Sequence, residues 1–225
     1  MRTIHSVSHS PYTVNGYVFF NRGQAYRQKG DYDHAIADFT ESIRLGPRGT
    51  DAIQAHLNRA DAYLMKGNYQ EAIDDCTEAL RLDPRNVVAY LGRGSAFGLT
   101  GAYDQAIADF TEVIDLYRDV KGPYADTRLA EAYNARGESY LQSRDYDQAI
   151  ADYTTIAESM NKISQDINEV LASGGFSAYA LYKRGVCYDE KGERDKALAD
   201  FKEAVRRAPD LARNEDLKRR MGTLE

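Results

Sequence analysis

The chain has 225 residues, 43% of them apolar, and a formal net charge of −6. That apolar share excludes a wholly disordered chain. The acidic balance argues against nucleic acid as a partner, because phosphates call for a basic surface. Two cysteines, Cys76 and Cys187, are too few for a disulfide framework. No apolar run reaches the roughly 18 residues that cross a bilayer, and residues 1–15 lack the apolar core of a signal peptide. The expectation is a cytoplasmic protein with no membrane partner.

In chain order, residues 1–15 read as a flexible arm. Asn21-Arg22-Gly23-Gln24-Ala25-Tyr26 follows, then the turn Gly30-Asp31-Tyr32 and the string Ala35-Ile36-Ala37-Asp38-Phe39. The pair of strings returns four times, with Arg59, Arg93, Arg136 and Arg184 in the first and Asp75, Asp109, Asp152 and Asp200 in the second. Placing the small residue of the first string at position 8 starts the units at Gly16, Ile53, Val87, Ala130 and Ala178. Their spacings of 37, 34, 43 and 48 define a 34-residue repeat with insertions. The repeats are 16–49, 53–86, 87–120, 130–163 and 178–211, and residues 212–225 read as a capping helix and tail.

Each repeat reads as two helices. Apolar residues recur at steps of three and four, as in Ile36, Phe39, Ile43 and Ile73, Cys76, Leu80. Gly-Asp-Tyr and Gly-Asn-Tyr are turns: glycine closes the first helix and Asp or Asn caps the second. Proline ends the second helix in three repeats, at Pro47, Pro84 and Pro209. Small residues at positions 8 and 20 let the helices approach, and aromatics at 11, 17 and 24 fill the space around them. In repeat 4 the apolar period continues through Ile156, Met160, Ile163, Ile167 and Val170, which predicts one long helix from Asp147 to about Leu171, ended by Ser173-Gly174-Gly175. The second helix of repeat 3 is expected to run to Gly122-Pro123, and the first helix of repeat 4 to start near Ala125. Three overlong helices either cover one another or form a protruding seam for a second subunit or partner.

This spacing of small, aromatic, Gly, Tyr, Ala, aromatic and Pro resembles the tetratricopeptide repeat, over residues 16–211, and its wording resembles bacterial members most. The resemblance implies an all-α, right-handed solenoid of five helix-turn-helix repeats with a C-terminal capping helix. It also implies a concave surface lined by positions 2, 5, 9, 12 and 13 of the first helices. These map to Tyr17, Phe20, Gln24 and Arg27 in repeat 1 and to Gln54, Leu57, Asp61 and Leu64 in repeat 2. They continue as Val88, Leu91 and Ser95, then Glu131, Asn134 and Glu138, then Tyr179 and Tyr182, with Asp189 and Glu190 at an acidic end. A ligand with apolar residues at its centre and basic residues toward repeat 5 would suit that surface. Of the five residues of the family's chaperone-type carboxylate clamp only Asn58 is in place, so that ligand class is not expected.

Arginine at position 7 and aspartate at position 23 occur in all five repeats. They read as ion pairs between facing helices, within a repeat or to the next one, with a structural role. No chemistry stands out beside them. His5 and His9 lack further ligands for a metal, Gly92-Arg93-Gly94 is not a nucleotide loop because Phe97 stands where a glycine is needed, and no nucleophile–base–orienter set is present. The expectation is a non-enzymatic interaction module, without metal or cofactor, that binds a peptide or partner protein in the groove. The alternative is a self-assembling scaffold, a homodimer at its simplest, built on the edge of repeats 3 and 4 or on the N-terminal arm.

Overall fold

The computed structural model of the chain describes residues 11–46, 50–163 and 167–224, with side chains described for 16–46, 51–122, 124–159 and 175–223. Among them every regular element is a helix. A first compact unit ends at Ala102 and a second begins at Tyr103, so the division falls inside repeat 3, between its two helices. The first unit holds α1 (Pro11–Gln28), α2 (Tyr32–Arg44), α3 (Thr50–Lys66), α4 (Tyr69–Leu82) and α5 (Val87–Thr100). The second holds α6 (Tyr103–Tyr117), α7 (Pro123–Gln142), α8 (Tyr146–Ile163), α9 (Ile167–Glu190), α10 (Arg194–Arg207), a 3₁₀ turn (Pro209–Arg213) and α11 (Glu215–Leu224). Within each unit, consecutive helices pack on one another, so α2 lies between α1 and α3, and α8 between α7 and α9.

The hairpins are made by one recurring turn. Position 15 takes a left-handed backbone, with φ of +77° at Gly30, +80° at Gly67, +82° at Gly101 and +78° at Gly192. The next N–H then reaches back to the carbonyl of position 11, as from Asn68 to Tyr63 at 2.9 Å and from Glu193 to Tyr188 at 2.8 Å. Repeat 4 makes the same turn with Arg144 at φ +66°. A Cβ there crowds the following carbonyl. Beyond the turn, position 8 passes directly over the aromatic of position 24. A Cβ on Gly23 would sit 2.9 Å from Phe39, and one on Gly185 2.6 Å from Phe201. Repeat 2 changes both partners together: Ala60 replaces the glycine and the smaller Cys76 replaces the ring, and the two share one core cluster.

The insertions fold differently from the pattern expected. α1 begins at Pro11, so the last residues of the supposed arm are helical; residues 1–10 lie outside the described residues, as does Pro47. α6 stops at Tyr117, short of Val120 and Gly122, and α7 instead starts early, at Pro123. α8 is described to Ile163, and residues 164–166, through which the predicted long helix would pass, lie outside the described residues. The predicted stop is not a stop: α9 runs from Ile167 through Ser173, Gly174 and Gly175 to Glu190. Glycine inside a helix costs only about 1 kcal/mol each relative to alanine, which packing along the rest of a 24-residue helix offsets.

The arginines and aspartates meet within a repeat. Arg22 with Asp38, Arg59 with Asp75, Arg136 with Asp152 and Arg184 with Asp200 each form two parallel hydrogen bonds of 2.7–2.8 Å. Arg93 and Asp109 belong to different units. A second link accompanies the first. The other guanidinium nitrogen, Nη1, donates to a threonine at position 25 of the preceding repeat: Arg59 to Thr40 at 2.9 Å, Arg93 to Thr77 at 3.3 Å, Arg136 to Thr111 at 3.0 Å and Arg184 to Thr154 at 3.0 Å. Among the described residues no helix precedes α1, and the Arg22 side chain is 55% exposed against 17%, 16% and 19% for Arg59, Arg136 and Arg184. Asp75 also receives His56 Nδ1 at 2.8 Å. Burial pushes the Asp75 carboxyl up, but the hydrogen bonds from Arg59 and His56 outweigh it and hold it below the usual carboxylate range.

Two outcomes follow from these contacts. Arg144→Gly removes the left-handed strain and should raise stability by about 1 kcal/mol in urea unfolding; a loss would mean that the Arg144 side chain contributes more than its backbone costs. Asp75→Ala leaves Arg59 half-buried without its carboxylate and should cost about 3 kcal/mol at pH 7. Because the folded pKa of Asp75 is depressed, its contribution is complete above the ordinary carboxylate pKa of about 4 and is lost as pH falls through the folded value. The gap between wild type and variant should therefore narrow below about pH 4; a gap independent of pH would assign the cost to packing alone.

Candidate functional site

At 3.6 residues per turn, the first helix of a repeat has four sides, and inside each compact unit they divide as follows. Positions 4, 8 and 11 face the second helix of the same repeat. Positions 3, 7 and 10 face the second helix of the repeat before. Positions 5 and 12 face the repeat that follows. Positions 2, 6, 9 and 13 fall within about 60° of one another on the remaining side.

The structure divides the predicted groove residues between the last two sides. Leu57, at position 5, is only 8% exposed and packs with Ile53, Leu80 and Ala89. It is core and not groove. Tyr182, the same position in repeat 5, is likewise buried and donates its hydroxyl to Asp216 of α11 at 2.9 Å. Phe20 is half-buried against Phe39, with ring centroids 5.8 Å apart, and Leu64 packs against the cluster around Cys76. Leu91 and Asn134 are half-buried. Tyr17, Gln54, Val88, Ser95 and Tyr179 are exposed, and Gln24, Asp61, Glu131 and Glu138 partly so.

The acidic residues of these faces are already matched within the chain. Arg27 reaches Asp61 at 2.5 Å, Arg128 reaches Glu131 at 2.8 Å and Lys183 reaches Glu138 at 2.8 Å. Burial pushes the Glu138 carboxyl up, and the Lys183 ammonium and further hydrogen bonds from Gln142 and Tyr153 bring it below its ordinary range. At the end expected to attract basic residues, Arg220 of α11 binds Asp189 at 2.5 Å and Glu190 at 3.0 Å. Leu217 of the same helix is fully buried against Leu181, Tyr182 and Val186. The chain's own C-terminal helix thus occupies the place given to a basic ligand end, which corrects that expectation.

In the first unit the outward side keeps almost no charge. It offers Tyr17, Asn21 and Gln24 on α1, Gln54, Asn58, Asp61 and Met65 on α3, and Val88, Gly92, Ser95 and Leu99 on α5. Tyr17, Met65, Val88 and Leu99 are each more than half exposed. The Asn58 side-chain amide donates to the Gln54 carbonyl at 2.7 Å, which leaves its oxygen to accept. In the second unit Val120 and Tyr124 are exposed around the start of α7, and Phe176 in the first half of α9.

Among the described residues, no group of three or more His, Cys, Asp and Glu side chains could hold a metal ion. Burial pushes the Cys187 thiol up to about 12, which leaves little thiolate at neutral pH. No described helix is long and apolar enough to cross a membrane.

These repeats have the length, turn and packing of one family. Models of the tetratricopeptide repeat match residues 20–87, 87–120, 130–159 and 178–211, which is most of the chain, and the protein belongs to the tetratricopeptide repeat family. A search of curated proteins finds no match. Among solved structures, MamA is similar with a TM-score of 0.66 at 25% identity, over 85% of this chain and 96% of that one. MamA 41-end from Desulfovibrio magneticus RS-1 gives 0.66 at 16% identity, over 90% and 97%. YrrB, a TPR protein with an unusual peptide-binding site, gives 0.65 at 20% identity, over 92% and 95%. These likenesses show the fold.

The two kinds of groove position separate on substitution. Leu57→Ala should cost about 3 kcal/mol as a core truncation, whereas Val88→Asp, on the outward side, should stay within about 0.5 kcal/mol of wild type. Urea unfolding of both variants checks this, and equal costs would refute the division of the helix into packing and outward sides.

Proposed function

We propose that the protein is a non-enzymatic interaction module that holds a peptide segment of a partner against the outward side of α1, α3 and α5. The observation that carries the reading is the composition of that side: exposed apolar residues at its ends and uncharged amides between them. Tyr17 and Val88 at position 2, with Met65 and Leu99 at position 13, are anchors that gain by being covered. Asn21, Gln24, Gln54 and Asn58 carry donors and acceptors that a peptide backbone can use. With Asp61 bound to Arg27, charge contributes little. The ligand is a neutral segment with apolar side chains, and its affinity depends weakly on salt. The peptide-binding site named for YrrB adds support by likeness of fold.

Selection from a random peptide display library tests this on the intact chain. Wild type should enrich peptides with recurrent apolar positions. Their binding should drop at least about tenfold in Val88→Asp/Leu99→Asp and stay unchanged in Leu82→Asp, an exposed apolar position at the end of α4. No enrichment, or equal binding to all three proteins, would overturn the proposal.

A further inference from the structure

The end of the first unit formed by α1 carries an inter-repeat interface with nothing described upon it. Inside the protein, the first helix of a repeat meets the second helix of the repeat before it through four positions. Positions 3 and 10 are small and closed, as at Ala55 and Ala62 of α3, both 0% exposed. Position 7 is the arginine that donates to the threonine at position 25 of the preceding helix. Position 14, in repeats 2 and 5, is a lysine bound to the aspartate at position 18 of that helix: Lys66 to Asp33, and Lys191 to Asp147 at 2.5 Å. α1 has the same four positions in Val18, Arg22, Ala25 and Lys29, and all four are exposed.

We propose that this side of α1 binds an α-helix of another protein, one that reads Asp or Glu and, seven residues later, Ser or Thr on its docking side. The spacing is that of Asp33 to Thr40 and of Asp147 to Thr154, two turns on one face. Running antiparallel to α1, the partner helix sets its carboxylate at Lys29 and its hydroxyl at Nη1 of Arg22. Small apolar residues between them close over Ala25 and Val18. Charge selects this occupant: the side presents two cations, of which, among the described residues, only Arg22 has a carboxylate, Asp38, beside it. A second copy fits poorly, because pairing two α1 helices brings Arg22 against Arg22. The matching helices of a second copy are also engaged, Asp33 by Lys66 and Thr40 by Arg59.

The test uses the full chain and a fluorescein-labelled, hydrocarbon-stapled peptide with the sequence of α2, read by anisotropy. Saturable binding is expected. The peptide changed Asp33→Lys/Thr40→Val should bind at least about tenfold more weakly, a lost hydrogen bond to a charged donor being the main cause. Ala25→Arg in the protein, an exposed position that leaves the helical circular dichroism unchanged, should abolish binding. Lys29→Asp should restore affinity for the peptide changed only at Asp33→Lys. Absent binding, or binding indifferent to Ala25→Arg, would overturn the proposal. So would a dimer in sedimentation that Ala25→Arg dissolves, which would assign this side to a second copy.

Discussion

In repeats 2, 4 and 5 one guanidinium holds three helices together. Its Nε and Nη2 bind the aspartate of its own second helix, and its Nη1 binds the threonine of the helix before. Burying a charge to this depth is tolerable only when each polar atom finds a partner, and the planar fork fixes where those partners lie. The pair therefore sets how one helix sits on the next along their axes, which apolar packing alone leaves loose. The glycine or alanine at position 8 and the side chain at position 24 then close the gap at the spacing so imposed.

Where a first helix has neighbours on three sides, as α3 does, only the fourth is left for anything else. Function in such a chain resides in what packing does not use, and the residues of that side are correspondingly irregular from repeat to repeat. The carboxylates near it are held by Arg27, Arg128, Lys183 and Arg220. Net charge is therefore a poor guide to that side: a chain of −6 can present a nearly neutral surface where packing leaves the helices open.

The repeats were legible in the sequence because their determinants are local and recur: glycine at the turn, small residues at close crossings, and arginine sixteen residues before aspartate. The groove was legible only in part. Positions 5 and 12 look like surface within their own repeat, and they are covered by residues that arrive later in the chain. Ala89 of the next repeat does this for Leu57, and α11 for Tyr182. The stop read at Ser173-Gly174-Gly175 failed because glycine weakens a helix without ending it. The threonine at position 25 could have been found: it stands at Thr40, Thr77, Thr111 and Thr154, and is Lys202 in the fifth repeat.

That last change makes the fifth second helix unlike the other four. Gene duplication that copies any of the first four repeats places a threonine under each new arginine and yields another compatible junction. Copying the fifth would set Lys202 against an incoming guanidinium, two like charges where a hydroxyl is required. A junction built on the fifth second helix would therefore lack the guanidinium–hydroxyl bond that joins Thr154 to Arg184, and like charges would meet instead.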